Sequence, residues 1–254
     1  MGMTVPGRQI ARHGRAAIFG LMVLGAAQTA SAGAQTSDGA YPQMAPGAEY
    51  LMPDRALEIS LARSAAPVAI SGDATVLVLS AKGYETAVKG TNGFTCLVER
   101  GWMSPFDSPD FWNPRLRGPV CYNPAATRSI LPITRYRTKL AQSGLPKSQM
   151  FDEISAAIAR RQLPAPEPGA MSFMMSKDGY LGDGVGPWHS HLMFYVPGTD
   201  LSSWGANLAG SPVVVDGAHR KNPEPQTIFL VPVSHWSDGS LASADGHAAE
   251  SGAK

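Results

Sequence analysis

The sequence predicts a single α+β domain: a mainly antiparallel sheet with two to four helices and one disulfide. Three observations lead there. β-prone runs cluster at 75–99 and return after residue 171, helical patterns occupy 124–162 between them, and the chain of 254 residues has two cysteines. Strands, then helices, then strands is the order of a sheet whose helices are segregated to part of the chain.

The N-terminus reads as an export signal. Arg8, Arg12, His13 and Arg15 precede an apolar run over 16–27 (AAIFGLMVLGAA), which gives way to Thr29, Ala30, Ser31 and Ala32. Basic, apolar and small segments in that order form a cleavable signal peptide, here 1–32. The competing reading, a membrane anchor, needs about 20 apolar residues to cross the bilayer core, and this run is shorter. The expectation is a periplasmic or secreted protein with no membrane span after signal cleavage. Three of the 21 basic residues and none of the 20 acidic ones fall in 1–32, so the remainder carries 18 against 20, a formal charge of −2. That balance provides neither the basic surface that nucleic acid requires nor a polybasic membrane patch.

Residues 33–48 are small, polar and interrupted by Pro and Gly, which predicts a flexible leader. The folded domain is expected over 49–236. It opens with a short amphipathic helix over 55–65 (RALEISLARSA), its apolar positions 57, 61 and 65 on one side. The runs 75–80, 84–89 and 94–99 are separated by Ala81-Lys82-Gly83 and by Gly90-Thr91-Asn92-Gly93. Such turn chemistry predicts an antiparallel meander.

Cys96 lies on the third of these strands and Cys121 beyond a loop rich in aromatics and prolines, 101–120. In an exported chain, two cysteines outside any C-x-x-C pair read as a disulfide rather than as a nucleophile or metal thiolates. Closing that segment stabilises by roughly 3.5 kcal/mol in the chain-entropy model. Trp102, Phe106, Phe111 and Trp112 in the loop read as core. The alternative is a surface of a non-catalytic envelope interaction module.

Asn123-Pro124 starts a helical stretch interrupted at Pro132 and ending near Gly144. A second helix covers 148–162, with Met150, Ile154, Ala157 and Ile158 on one face. Pro164 to Gly169 is a stiff linker, strands follow at 171–176, 188–196, 213–215 and 227–233, and 237–254 reads as a disordered tail.

The segment 188–196 carries the candidate site. On an extended strand, alternation puts His189, His191, Met193 and Tyr195 on one face and Ser190, Leu192, Phe194 and Val196 on the other, which reads as core. Two imidazoles two residues apart can chelate one metal ion; zinc or copper are the metals such ligands suit. His235, expected on the last strand, is the third ligand proposed, with Asp183 and His219 as alternatives. Met193, Tyr195, Asp183 and Trp188 are the accompanying ligand-binding candidates. The competing reading is a pair of histidines hydrogen-bonded to backbone at a strand end. The turn 182–186 precedes a strand instead of opening a helix, so it is no phosphate loop, and it lacks the acids of a calcium loop. Serine-hydrolase and zinc-protease signatures are absent. Ser234, His235 and Asp238 are close in sequence, which is no sign of a triad, and Glu99, Asp107, Asp110 and Asp183 do not single out a catalytic pair.

The segments GYETAVKGTNGFTCLVERGW (83–102), PVCYNP (119–124), MSKDGYLGDG (175–184) and WHSHLMFYVP (188–197) resemble a group of uncharacterised exported bacterial proteins over about residues 70–240. That resemblance implies export and transfers no catalytic residue. The functional expectation is therefore ligand or metal binding at the His-x-His face, the alternatives being a cell-envelope hydrolase using one of these histidines or an envelope interaction module. A small ligand or an envelope component is the expected partner.

Overall fold

A computed structural model describes residues 40–183, 189–198, 201–215, 221–224 and 226–242. The expected signal peptide 1–32, Trp188, His219 and the tail from 243 onward lie outside the described residues.

Seven strands among the described residues form one sheet: β1 Thr75–Ser80, β2 Gly83–Val88, β3 Thr95–Glu99, β4 Gly118–Tyr122, β5 Met171–Met174, β6 His191–Pro197 and β7 Gln226–Pro232, in the order β2-β1-β3-β4-β5-β6-β7. All neighbours are antiparallel except β1 and β3. Five helices accompany it: α1 Arg55–Arg63, the single turn α2 Val68–Ser71, α3 Pro124–Ser129, α4 Leu131–Gln142 and α5 Lys147–Ala159. The α+β class is as the sequence predicts.

The first three strands are not a meander. β2 is the edge strand, and β3 returns to the far side of β1, pairing with it in parallel at Thr75–Thr95 and Val76–Cys96. The 89–94 connection crosses the start of β1, tied down by Thr91 N–H to Asp73 O (2.8 Å) and Asn92 Nδ2 to Ile70 O (2.7 Å). At the crossing, a Cβ on Gly90 would stand 2.1 Å from Thr75 N, so only glycine lets the chain pass that close.

The sheet is covered on both faces. On one, α1 presents Ala62, followed by Ala65 and Ala66, to Val76, Val98 and the disulfide. Cys96 and Cys121 are direct cross-strand partners on β3 and β4, both fully buried, with Cα atoms 4.0 Å apart. The expected apolar stripe of α1 is rotated: Leu57 is 59% exposed, whereas Glu58 is buried. Asp54 caps the helix through Ala56 N and Leu57 N. Glu58 accepts from Leu79 N (3.1 Å) and from Arg100 Nη2 (2.8 Å), while Arg100 donates also to the Tyr50 and Val98 carbonyls. The small alanine face brings the helix backbone close to the sheet, and the buried ion pair fixes it there.

On the other face lies the main core, where α3 to α5 and the 101–117 loop pack Trp102, Phe106, Phe111, Trp112, Met150 and Ile154 against Leu77, Leu97 and Val120. All four loop aromatics are buried, so they do not offer the surface that an interaction module requires. β4, in the region read as loop, is a fully buried strand despite Pro119. Its neighbour β5 pairs only with Cys121 and Tyr122, so Pro119 sits where β4 has no partner on that side to miss its N–H.

The chain departs from its expected limits at both ends. Tyr41, Met44 and Ala45, expected in a flexible leader, pack against the core. At the other end Ser237 N donates to Met175 O (2.9 Å) and Ala242 N to Ser234 O (2.9 Å), so 237–242 holds to the domain.

Candidate functional site

Between the main-core face of the sheet and the helical layer lies a cavity of about 710 Å³. Its floor follows from strand register. Glu99 pairs with Gly118, Tyr122 with Ser172, Ser172 with Met193 and Met174 with His191, so these side chains all emerge on one face. β7 adds Ile228, Leu230 and Pro232. Gly118 leaves space beside Glu99, since a Cβ there would touch Glu99, Leu181 and Met174 at 3.5 Å. Ile133 and Arg137 of α4, Met103 to Pro105 and Asn222 to Glu224 close the other side.

The sequence-predicted face is present in part. His189, His191, Met193 and Tyr195 all line the cavity. The strand begins at His191, however, so His189 precedes it. The core is also distributed differently. Tyr195 is the buried residue of β6 and belongs to the main core, while Phe194 and Val196 face a smaller cluster around Phe229.

His191 Nδ1 lies 2.7 Å from the His189 carbonyl oxygen. A carbonyl only accepts, so Nδ1 carries the hydrogen and Nε2 the lone pair. Burial lowers the His191 pKa from 6.5, and the ring is neutral at pH 7.

The other expected ligands lie elsewhere. β7 ends at Pro232, and His235 is exposed beyond it, its Nδ1 beside the adjacent Ser234 Oγ at 3.0 Å. Asp238 pairs with Lys177 at 2.7 Å. Asp183 is exposed and held by Arg115 (2.7 Å), Tyr41 (2.9 Å) and Tyr180. Among the described residues no three His, Cys, Asp or Glu side chains are grouped to hold a metal ion. The ligand set expected from His189, His191 and His235 is therefore not assembled: beyond Pro232 the backbone stays beside Ser190, with Val233 N donating to Ser190 O (2.9 Å) and Ser190 Oγ to His235 O (2.6 Å), but the His235 side chain is exposed.

The cavity instead gathers polar groups that sequence reasoning did not connect. Tyr122 Oη donates to Glu99 Oε1 at 2.5 Å and lies 3.0 Å from Thr134 Oγ1. Tyr195 Oη is 3.0 Å from Ser172 Oγ. Glu99 is half-buried and makes no ion pair among the described residues. Burial raises its pKa to about 7, against the lowering effects of the Tyr122 hydrogen bond and the Arg137 charge. Burial, with the Glu99 charge second, holds Tyr122 well above the ordinary tyrosine value.

Arg137 and Glu224 form a buried bidentate pair, Nε to Oε1 and Nη2 to Oε2, both 2.7 Å. The remaining guanidinium hydrogens point to the carbonyls of Trp102, Met103 and Ser104 and to Asn222 Oδ1. The side-chain oxygen of Gln226, another lining residue, is buried without a hydrogen-bond partner.

Of the four carboxylates left unassigned by sequence, only Glu99 lines the cavity. Its one sequence signal is its place as the acid ending the apolar strand TCLVE. No protein-family model matches the chain, and no curated protein or solved structure matches it either.

Proposed function

We propose that this protein binds a small, mostly apolar molecule in the cavity beneath β4 to β7, and that it does so outside the cytoplasm. The observation that carries the reading is the cavity itself. About 710 Å³ lined by Met103, Ile133, Met174, Met193, Val215 and Leu230, with a few polar groups among them, matches the size and chemistry of small-molecule sites. It supports the ligand half of the His-x-His expectation. The zinc or copper half has no third donor behind it among the described residues.

The buried Cys96–Cys121 bond suits an oxidising compartment, and no helix among the described residues is long and apolar enough to cross a membrane. The basic, apolar and small-residue order of 1–32 supports export to the periplasm or the medium, as does the resemblance to exported bacterial proteins.

Thermal-shift and calorimetric titration with a panel of apolar small molecules tests the reading, with Met193→Trp as the occluded control. A ligand at a hundred times its Kd stabilises the native state by about 2.7 kcal/mol, and filling the cavity with indole abolishes the effect. If no compound stabilises the protein, or if the occluded variant responds equally, the reading is wrong.

A further inference from the structure

The reading of the cavity as a ligand site can be deepened to a ligand class. We infer that the cavity selects an organic cation, a primary or secondary ammonium on an apolar body, with Glu99 as its counter-ion.

Of the Arg and Glu side chains that line the cavity, all but one are paired. Arg137 has all of its guanidinium hydrogens engaged, by Glu224, Asn222 and three backbone carbonyls, and is 3% exposed. Arg100 is fully buried and engaged by Glu58, Tyr50 O and Val98 O. Arg137 has no donor left for an anion, and Arg100, with three of its hydrogens bonded, has no exposed surface from which to offer the others. Each is neutralised by its own carboxylate, Glu224 and Glu58. Glu99 is the carboxylate at the cavity left over from this pairing, so the cavity has one negative charge in excess when Glu99 ionises.

The uncharged polar groups point the same way. Gln226, which lines the cavity, has a buried acceptor oxygen without a hydrogen-bond partner. The Tyr122 hydroxyl is already donating to Glu99. A site with acceptors and one surplus carboxylate suits a ligand that brings hydrogens and a positive charge. The groups around Glu99 are Tyr122 of β4, Tyr195 of β6, Tyr84 of β2, Arg137 of α4 with its partner Glu224, and Arg100 with its partner Glu58, while the two histidines line the same cavity. Arg137 and Arg100 are both paired, and Arg117, which makes no ion pair among the described residues, shares the surroundings of Tyr84 but not the cavity lining.

Isothermal titration of the full chain with phenylbutylamine, phenylbutanol and phenylbutyrate separates head-group charge from the apolar tail. At about pH 8 the amine is expected to bind about 30-fold more tightly than the alcohol or the carboxylate. In Glu99→Gln, which keeps the size and an acceptor for Tyr122, the amine falls to the level of the alcohol while the alcohol is unchanged. In the unmodified protein, amine affinity drops about tenfold per pH unit below about pH 7, a readout that needs no variant. Alcohol or carboxylate binding as tight as the amine, or a preference that survives Glu99→Gln, overturns the inference alone. If none of the three binds, the cavity reading falls with it.

Discussion

Tyr122 of β4 donates its hydroxyl hydrogen to Glu99 of β3 across the sheet at 2.5 Å, at the floor of the cavity. The two are not cross-strand partners: Glu99 pairs with Gly118 and Tyr122 with Thr95. The missing side chain at Gly118 leaves the space beside Glu99 unfilled. The result is a carboxyl in a largely apolar site, stabilised by one donor and no counter-ion.

That arrangement has a pH signature. The Glu99 pKa of about 7 exceeds its ordinary 4.5, so between these values the native state holds a proton that the unfolded chain has released. The contribution is therefore favourable at low pH and lost as pH rises through that window, with about 2–3 kcal/mol of the loss falling between pH 5 and pH 8. Glu99→Gln removes the dependence. In urea denaturation the variant is expected to gain stability relative to the unmodified protein by about that amount between pH 5 and pH 8. An unchanged difference contradicts a raised carboxyl pKa.

The buried pair Glu58–Arg100 holds α1 to β1 and β3. Arg100→Met leaves Glu58 charged and unpaired in the interior, and is expected to cost about 3–5 kcal/mol. Replacing both residues by methionine costs less than the single change. A double-mutant cycle by chemical denaturation measures the difference, and additive effects contradict the coupling.

Cys96→Ala with Cys121→Ala is expected to destabilise by about 2–4 kcal/mol. Both sulfurs are buried beneath α1, so the bond resists mild reductant until the protein unfolds. Mass spectrometry after thiol alkylation in native buffer and in denaturant checks this.

Reversing the charge balance should reverse the ligand preference. Glu224→Gln leaves Arg137 unneutralised at the cavity wall. Phenylbutyrate then binds about tenfold more tightly than to the unmodified protein, and phenylbutylamine more weakly. Titration calorimetry of both probes reads the change; identical affinities contradict the assignment of Arg137 and Glu224 as a self-cancelling pair.

The sequence made the last strands legible, because alternation of period two over 189–195 survives any uncertainty about partners. It therefore put His189, His191, Met193 and Tyr195 on the same side, where they meet the cavity. It did not reveal what faces them. Glu99, Tyr122, Arg137 and Glu224 come from β3, β4, α4 and a loop, and only sheet order brings them together. β4 was hidden by Pro119, a residue that ordinarily rules out a central strand. The meander failed for a related reason. Asn92-Gly93 signals a turn, but Gly90 decides that the turn crosses the start of β1. Leu57 and Glu58 show the same limit on a helix, where a leucine is exposed and the neighbouring acid is buried because Arg100 waits beneath it.

The central claim, that the cavity receives a ligand, is tested most directly by NMR of the methionine methyl groups during titration with phenylbutylamine. Met103, Met174 and Met193 line the cavity, whereas Met150 in the core and Met44 packed against the core are not among its lining residues. Saturable shifts at the first three with Met44 and Met150 unmoved are predicted. Silence at Met103, Met174 and Met193, or shifts centred on Met44 and Met150, would contradict it.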